Sequence, residues 1–192
     1  MSADHRFGAA LFALAATMNE LSVPWMVIGG VAVIAAGVPR ETIDVDATVL
    51  GRVSDVDTLL LTLGRHGIAP RIPDARQFAR ERGVLLLIHE ESGVTIEVSL
   101  AFLPFEEQAL QRARKSEVDG QIVPIALPED LIVYKATAWR DRDRSDIERL
   151  LIRYIDQIDI ERVRSLVVEI ARVLDDPSRV DAFDELVRRA AC

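Results

Sequence analysis

The chain has 192 residues, of which 49% are apolar, and a formal net charge of −8. That size and composition suit one domain, or one domain with a small appendage, around a real core, and they exclude a chain disordered throughout. The acidic balance argues against a general nucleic-acid binder carrying a basic stripe, and the single cysteine, Cys192, excludes an internal disulfide or a cysteine-based zinc site and fits a reducing compartment.

The apolar pattern behind Arg6 predicts a first helix over residues 3–20. Asn19 and Glu20 continue its pattern and no small-x-small cleavage site follows, so an ordinary helix is expected rather than a signal segment. The uncharged run from Leu21 to Pro39 is long enough to span a bilayer, but Pro24, Gly29, Gly30, Gly37 and Pro39 interrupt it. A buried strand in "PWMVIG", a Gly-Gly turn and a short helix ending near Gly37 explain it better, with no membrane span. "TIDVDATVL" alternates, with Ile43, Val45, Ala47 and Val49 on one face and Asp44, Asp46 and Thr48 on the other.

Ser54 is positioned to cap a helix running to about His66, with Asp55 and Asp57 in its first turn. A helix near 74–82 leads into the apolar "GVLLLIHE", an "ESG" hairpin turn and a second alternating strand, "VTIEVSL", in which Thr95, Glu97 and Ser99 oppose the apolar residues. Residues 104–114 read as helix, and "SEVDGQIVPIA" as a hairpin around Asp119-Gly120. From Pro128 onward the pattern is helical, in three or four pieces broken near 140, 156 and 176. The fold class is therefore α+β, with a mixed sheet flanked by helices over 1–127 and a helical region over 128–192.

Asp-x-Asp occurs three times. Asp55/Asp57 suit a helix N-terminus, and Asp141/Asp143 lie in the charge run "RDRDRSD", which reads as a solvated loop or helix start. Asp44/Asp46 differ in setting. Two carboxylates on one strand face repel each other, and a divalent cation removes that penalty. Mg²⁺, or Mn²⁺, takes oxygen ligands of this kind, and Glu97 adds a third acid if the two alternating strands are neighbours. The Gly29-Gly30 turn exposes backbone N–H groups toward a helix start, which suits phosphate, although a tight turn packed on the sheet is the plainer alternative.

The stretch "IGGVAVIAAGVPRETIDVDATV" resembles the signature of DNA-polymerase-β-like nucleotidyltransferases, and "LPEDLIVYKATAWRDRDRSDIERLL" over 127–151 resembles a helix–lysine–acid stretch of AbiE-type toxins and their relatives. The spelling of the first stretch, with "PRETIDVD" and the later acid in "TIEVSL", is similar both to the AbiE-type toxins and their uncharacterised relatives and to the small antibiotic nucleotidyltransferases. The resemblance implies a metal-dependent transfer of a nucleoside monophosphate from an NTP to an acceptor hydroxyl on a tRNA, a protein or a small molecule. It implies that Gly29 and Gly30 line the triphosphate with Arg40 and Thr42 nearby, that Asp44 and Asp46 hold Mg²⁺, that Glu97 is the third acid, that Lys135 reaches a phosphate and that Asp146 is a downstream acid. It also implies a cytoplasmic protein and, for the toxin group, a cognate antitoxin.

Glu97 departs from the superfamily's usual aspartate by one methylene. A decayed site serving as a nucleotide-binding or antitoxin-like interaction module is therefore the alternative. Arg40 either contacts phosphate or pairs with Glu41 or Asp44. Lys135, one of only two lysines, is otherwise a surface lysine, and Asp146 is otherwise the cap of a helix over 147–153. The arginines at 65, 71, 76, 80 and 82 are the one group that could form a basic patch for RNA. His66 and His89 lack metal-ligand spacing, Ser99 lacks a nucleophile context, and Trp25 and Trp139 read as packing residues.

Overall fold

A computed structural model describes residues 7–51 and 55–191. The expected helix start at residue 3, the Ser54 cap and Cys192 lie outside the described residues. The described residues form two compact units divided at 31/32, 40/41 and 126/127, so that residues 32–40 group with the residues after 126 in the second unit and the rest form the first.

The first unit is built on a seven-stranded mixed sheet of order β3-β4-β5-β2-β1-β7-β6. Its strands are β1 (Trp25–Ile28), β2 (Asp44–Val49), β3 (Ile68–Pro70), β4 (Val84–His89), β5 (Thr95–Leu100), β6 (Arg114–Val118) and β7 (Gln121–Ile125). β2 pairs antiparallel with β1 and parallel with β5, and β5 pairs antiparallel with β4. The register aligns Val45 with Ile96 and Ala47 with Val98, and places Leu87 and Leu85 opposite those same β5 residues. All six are buried. Of the alternate positions on this strip, Asp44, Asp46, Thr95, Glu97, Ser99, Val84, Leu86 and Ile88 are half-buried and Thr48 is fully buried. One face of the strip is thus core and the other half-open, as period-2 alternation in a mixed sheet requires. Helices α1 (Gly8–Leu21) and α3 (Val56–Arg65) supply Leu11, Leu14, Met18 and Leu63 to the core, and α4 (Ala75–Arg82) and α5 (Pro104–Arg112) complete this unit's helices after α3.

β1 is buried from Trp25 to Val27, which matches its lack of polar residues. The β6–β7 hairpin turns at Asp119 (φ 47°) and Gly120 (φ 76°), two successive positive-φ positions that suit a two-residue turn. Two features depart from the sequence reading. Ile43 precedes β2 and is 65% exposed, so the inward set begins at Val45. β3 was not foreseen: three residues ending in proline carry no alternation to read.

The second unit holds α6 (Pro128–Ala138), α7 (Asp141–Tyr154), α8 (Ile160–Val173) and α9 (Ser178–Ala190). They pack through Leu131, Ile132, Leu150, Leu151, Val163, Val167 and Phe183, all fully buried. Residues 32–40, which follow the start of α2 (Gly29–Ala35), belong to this unit through side chains of α7. The Tyr154 hydroxyl donates to the Ala36 carbonyl at 2.6 Å, and Arg149 donates to the Pro39 carbonyl at 3.0 Å. Arg179 of α9 donates to the Ala136 and Thr137 carbonyls at 2.7 and 2.8 Å, satisfying the open C-terminal end of α6. Among the described residues no helix is long and apolar enough to cross a membrane.

Candidate active site

β1 ends opposite Asp46, since Ile28 is its partner in the ladder, and the chain then turns through Gly29 into α2. Gly29 has φ +63°, and a Cβ there would lie 1.8 Å from Asp46 Oδ2. Only glycine meets both demands. The Asp46 carboxylate therefore rests against the first residue of α2, where the partial positive charge of a helix start favours an anion. Two residues earlier on the same face, Asp44 Oδ1 accepts a hydrogen bond of 2.7 Å from the Thr42 hydroxyl. Thr42 orients Asp44 without neutralising it.

The parallel register sets Glu97 beside Asp46, and Leu86 of β4 beyond Glu97. The expected neighbourhood of the two alternating strands therefore exists. Yet Glu97 is an ion-pair partner: Arg71 Nη2 lies 2.6 Å from its Oε1. Among the described residues no three His, Cys, Asp or Glu side chains are arranged to hold a metal ion. Asp44 and Asp46 fit a hard divalent cation by chemistry, as oxygen donors on one half-open face with room kept by Gly29. Glu97 does not join them in this arrangement.

Arg40, Lys135 and Asp146 come together in the helical unit. Lys135 is not a surface residue: it is 6% exposed, with Nζ 2.9 Å from Asp146 Oδ2 and 3.2 Å from Asp143 Oδ1. Arg40 Nη1 lies 2.6 Å from Asp146 Oδ2, a partner outside the Glu41 and Asp44 pair considered from sequence. Arg140 closes the group, its Nε 2.6 Å from Asp143 Oδ2. α7 starts at Asp141, so Asp146 lies inside it and caps nothing.

Asp143 is the residue that sequence reasoning missed. It lies in a charge run that reads as solvated, and Asp141 is indeed 96% exposed while Asp143 is 0% exposed. Burial alone pushes the Asp143 carboxyl up. The Arg140 hydrogen bond and the charges of Lys135 and Arg140 outweigh it and hold the group below its ordinary range. Helical spacing was the available signal, because Asp143, Asp146, Ile147 and Leu150 share one face of a helix that begins at 141.

Four of the five arginines considered as a basic patch are already paired. Arg65 meets Glu20, Arg71 meets Glu97, and both Arg76 and Arg80 meet Asp57. His66 pairs with Glu20, and His89 Nδ1 lies 2.8 Å from the Ser92 hydroxyl.

A family model described as a nucleotidyltransferase of unknown function (DUF6036) matches residues 9–189. Among solved structures, the chain is similar to the antibiotic-resistance factor ANT(2″)-Ia, at 15% identity and a TM-score of 0.59, over 89% of this chain and 95% of that one. It is similar to a putative nucleotidyltransferase from H. pylori, at 15% identity and a TM-score of 0.53, over 100% of this chain and 95% of that one. A lincomycin-bound lincosamide antibiotic adenylyltransferase, LnuA, matches at 17% identity and a TM-score of 0.50, over 73% of this chain and 93% of that one. At these identities the likeness is one of fold. None of the curated proteins matches the chain.

Proposed function

The chain belongs to this family of nucleotidyltransferases of unknown function, and we propose that it moves a nucleoside monophosphate from an NTP to an acceptor hydroxyl at Asp44 and Asp46. The observation that carries the reading is the seat of Asp46 against Gly29, where positive φ and a forbidden Cβ tie the carboxylate to the strand–glycine–helix turn. Gly29 and Gly30 would face the triphosphate, as the start of α2 suits an anion. Thr42 holds Asp44 in its rotamer.

Asp44 and Asp46 would hold Mg²⁺ or Mn²⁺, which when bound neutralises phosphate charge and acidifies the acceptor hydroxyl. The acceptor oxygen attacks the α-phosphorus, the bond to the bridging oxygen breaks, and pyrophosphate leaves. The hydroxyl proton passes to Glu97 or to water. Alignment and charge neutralisation supply most of the rate in such a transfer.

Lys135 has a different part in this proposal from a phosphate contact. Reaching a phosphate would pull it from two carboxylates inside the helical unit, and breaking buried pairs of this sort costs about 3–5 kcal/mol. We assign Lys135, Asp146 and Arg40 to holding α6, α7 and residues 32–40 together. The toxin reading, with its antitoxin partner, rests on the likeness of the Gly-Gly to "PRETIDVD" stretch, "TIEVSL" and the 127–151 stretch to AbiE-type toxins, and the acceptor stays at the class of hydroxyl-bearing tRNA, protein or small molecule.

The test is incubation with each labelled NTP, Mg²⁺ and acceptors of the three classes. Transfer with pyrophosphate release, abolished in Asp44→Ala, is the expected result. No transfer, together with no cation-dependent NTP binding, contradicts the proposal.

A further inference from the structure

Glu97 stands between two neighbours of opposite charge. On one side its register partner is Asp46; on the other, beyond Leu86, is Arg71, whose backbone N–H donates to the Leu86 carbonyl at 3.0 Å. That backbone bond fixes Arg71 at the end of the row Asp46–Glu97–Leu86. The Arg71 guanidinium holds the Glu97 carboxylate at 2.6 Å.

We propose that Arg71 is a positioning residue that keeps Glu97 away from the Asp44/Asp46 pair and releases it when a divalent cation occupies that pair. The inference rests on the reading of Asp44 and Asp46 as cation ligands. A divalent cation at that pair offers the Glu97 carboxylate an attractive partner and a coordination position on the Asp46 side, which competes with Arg71.

The exchange is easy because the Arg71 and Glu97 side chains are 35% and 40% exposed, and exposed pairs hold weakly. Side-chain length also matters. Neighbouring strands are about 4.8 Å apart, so the extra methylene of glutamate lets one side chain reach either neighbour, where aspartate falls short of Arg71. On this account Glu97 is the residue that fits a third acid with two positions. The Arg71 pairing marks its resting one.

The experiment is a Mn²⁺ titration of the full chain, read by the paramagnetic resonance of free Mn²⁺, in unaltered protein, R71M, E97Q and the R71M/E97Q double variant. Circular dichroism checks that each is folded. R71M is expected to bind Mn²⁺ about three- to tenfold tighter, because Glu97 no longer has to leave a partner. In the E97Q background the same change should alter affinity less than about twofold.

A Mn²⁺ affinity unmoved by R71M, with binding still lost in Asp46→Asn, overturns this inference and leaves the proposed site standing. An equal gain in both backgrounds also overturns it, since that is the effect of removing one positive charge at a distance. No Asp46-dependent Mn²⁺ binding in the unaltered chain overturns both.

Discussion

Each unit sets two aspartates beside a basic residue, and the two sets differ in what surrounds them. On the sheet, Asp44 and Asp46 lie on a half-open face, with a neutral hydroxyl on Asp44 and an exposed Arg71–Glu97 pair at the margin. In the helical unit, Asp143 and Asp146 are buried and meet three cations, Lys135, Arg40 and Arg140. On the proposed function, a carboxylate that takes a ligand lies on a half-open face. One that fastens helices is buried and fully paired, because a bare buried charge is too costly. The same residue types therefore serve opposite ends, and local composition does not tell them apart.

The contrast can be broken at its strongest point first. Lys135→Met leaves Asp143 and Asp146 without their shared cation and should lower stability by about 3–5 kcal/mol in urea unfolding. A loss under about 1 kcal/mol would mean that the helical cluster is no more a fastening than a surface pair. Next comes Gly29→Ala, where positive φ alone costs about 1–2 kcal/mol and the new methyl meets the Asp46 carboxylate. Stability should fall by at least that much, and Mn²⁺ affinity should fall with it. Unchanged metal affinity would separate the turn from the site.

Acid sharpens the comparison further. Its Arg140 and Lys135 partners hold the Asp143 carboxyl below its ordinary range in the folded chain, so it binds fewer protons there than when unfolded. Its stabilising effect is complete above about pH 5 and fades as pH falls through the lower folded value. Asp143→Asn should cost about 1–3 kcal/mol at neutral pH and markedly less near pH 3, read from urea midpoints across that range. A cost independent of pH would assign the loss to packing. The smallest effect is expected at the margin of the sheet site. Arg71→Met should change stability by less than about 1 kcal/mol, because exposed pairs contribute little. A larger loss would make that pair a structural element like the helical one.

Much of the architecture was legible wherever a period could be counted. Val45 and Ala47 against Asp44 and Asp46, and Ile96 and Val98 against Glu97, announced two strands with a common face, and the register confirms their adjacency. The Asp119-Gly120 turn was equally plain. What escaped lay where no period operates. β3 is too short to alternate, and Arg71 directly follows it, so nothing local linked Arg71 to Glu97. Asp143 was hidden by its charged neighbours, since composition does not reveal which face of α7 turns inward. The grouping of residues 32–40 with the helices depends on Tyr154, Arg149 and Asp146, contacts more than 100 residues away in the chain.

The central claim is that Asp44 and Asp46 bind a divalent cation with a nucleotide. It is tested most directly by calorimetric titration of each NTP with Mn²⁺ into the full chain and into the Asp44→Asn/Asp46→Asn variant. The account predicts that at least one NTP binds only with the cation, and that the variant weakens this binding about 100-fold or more, as expected when paired metal ligands are removed. Equal NTP binding by both proteins, or binding indifferent to the cation, would contradict it.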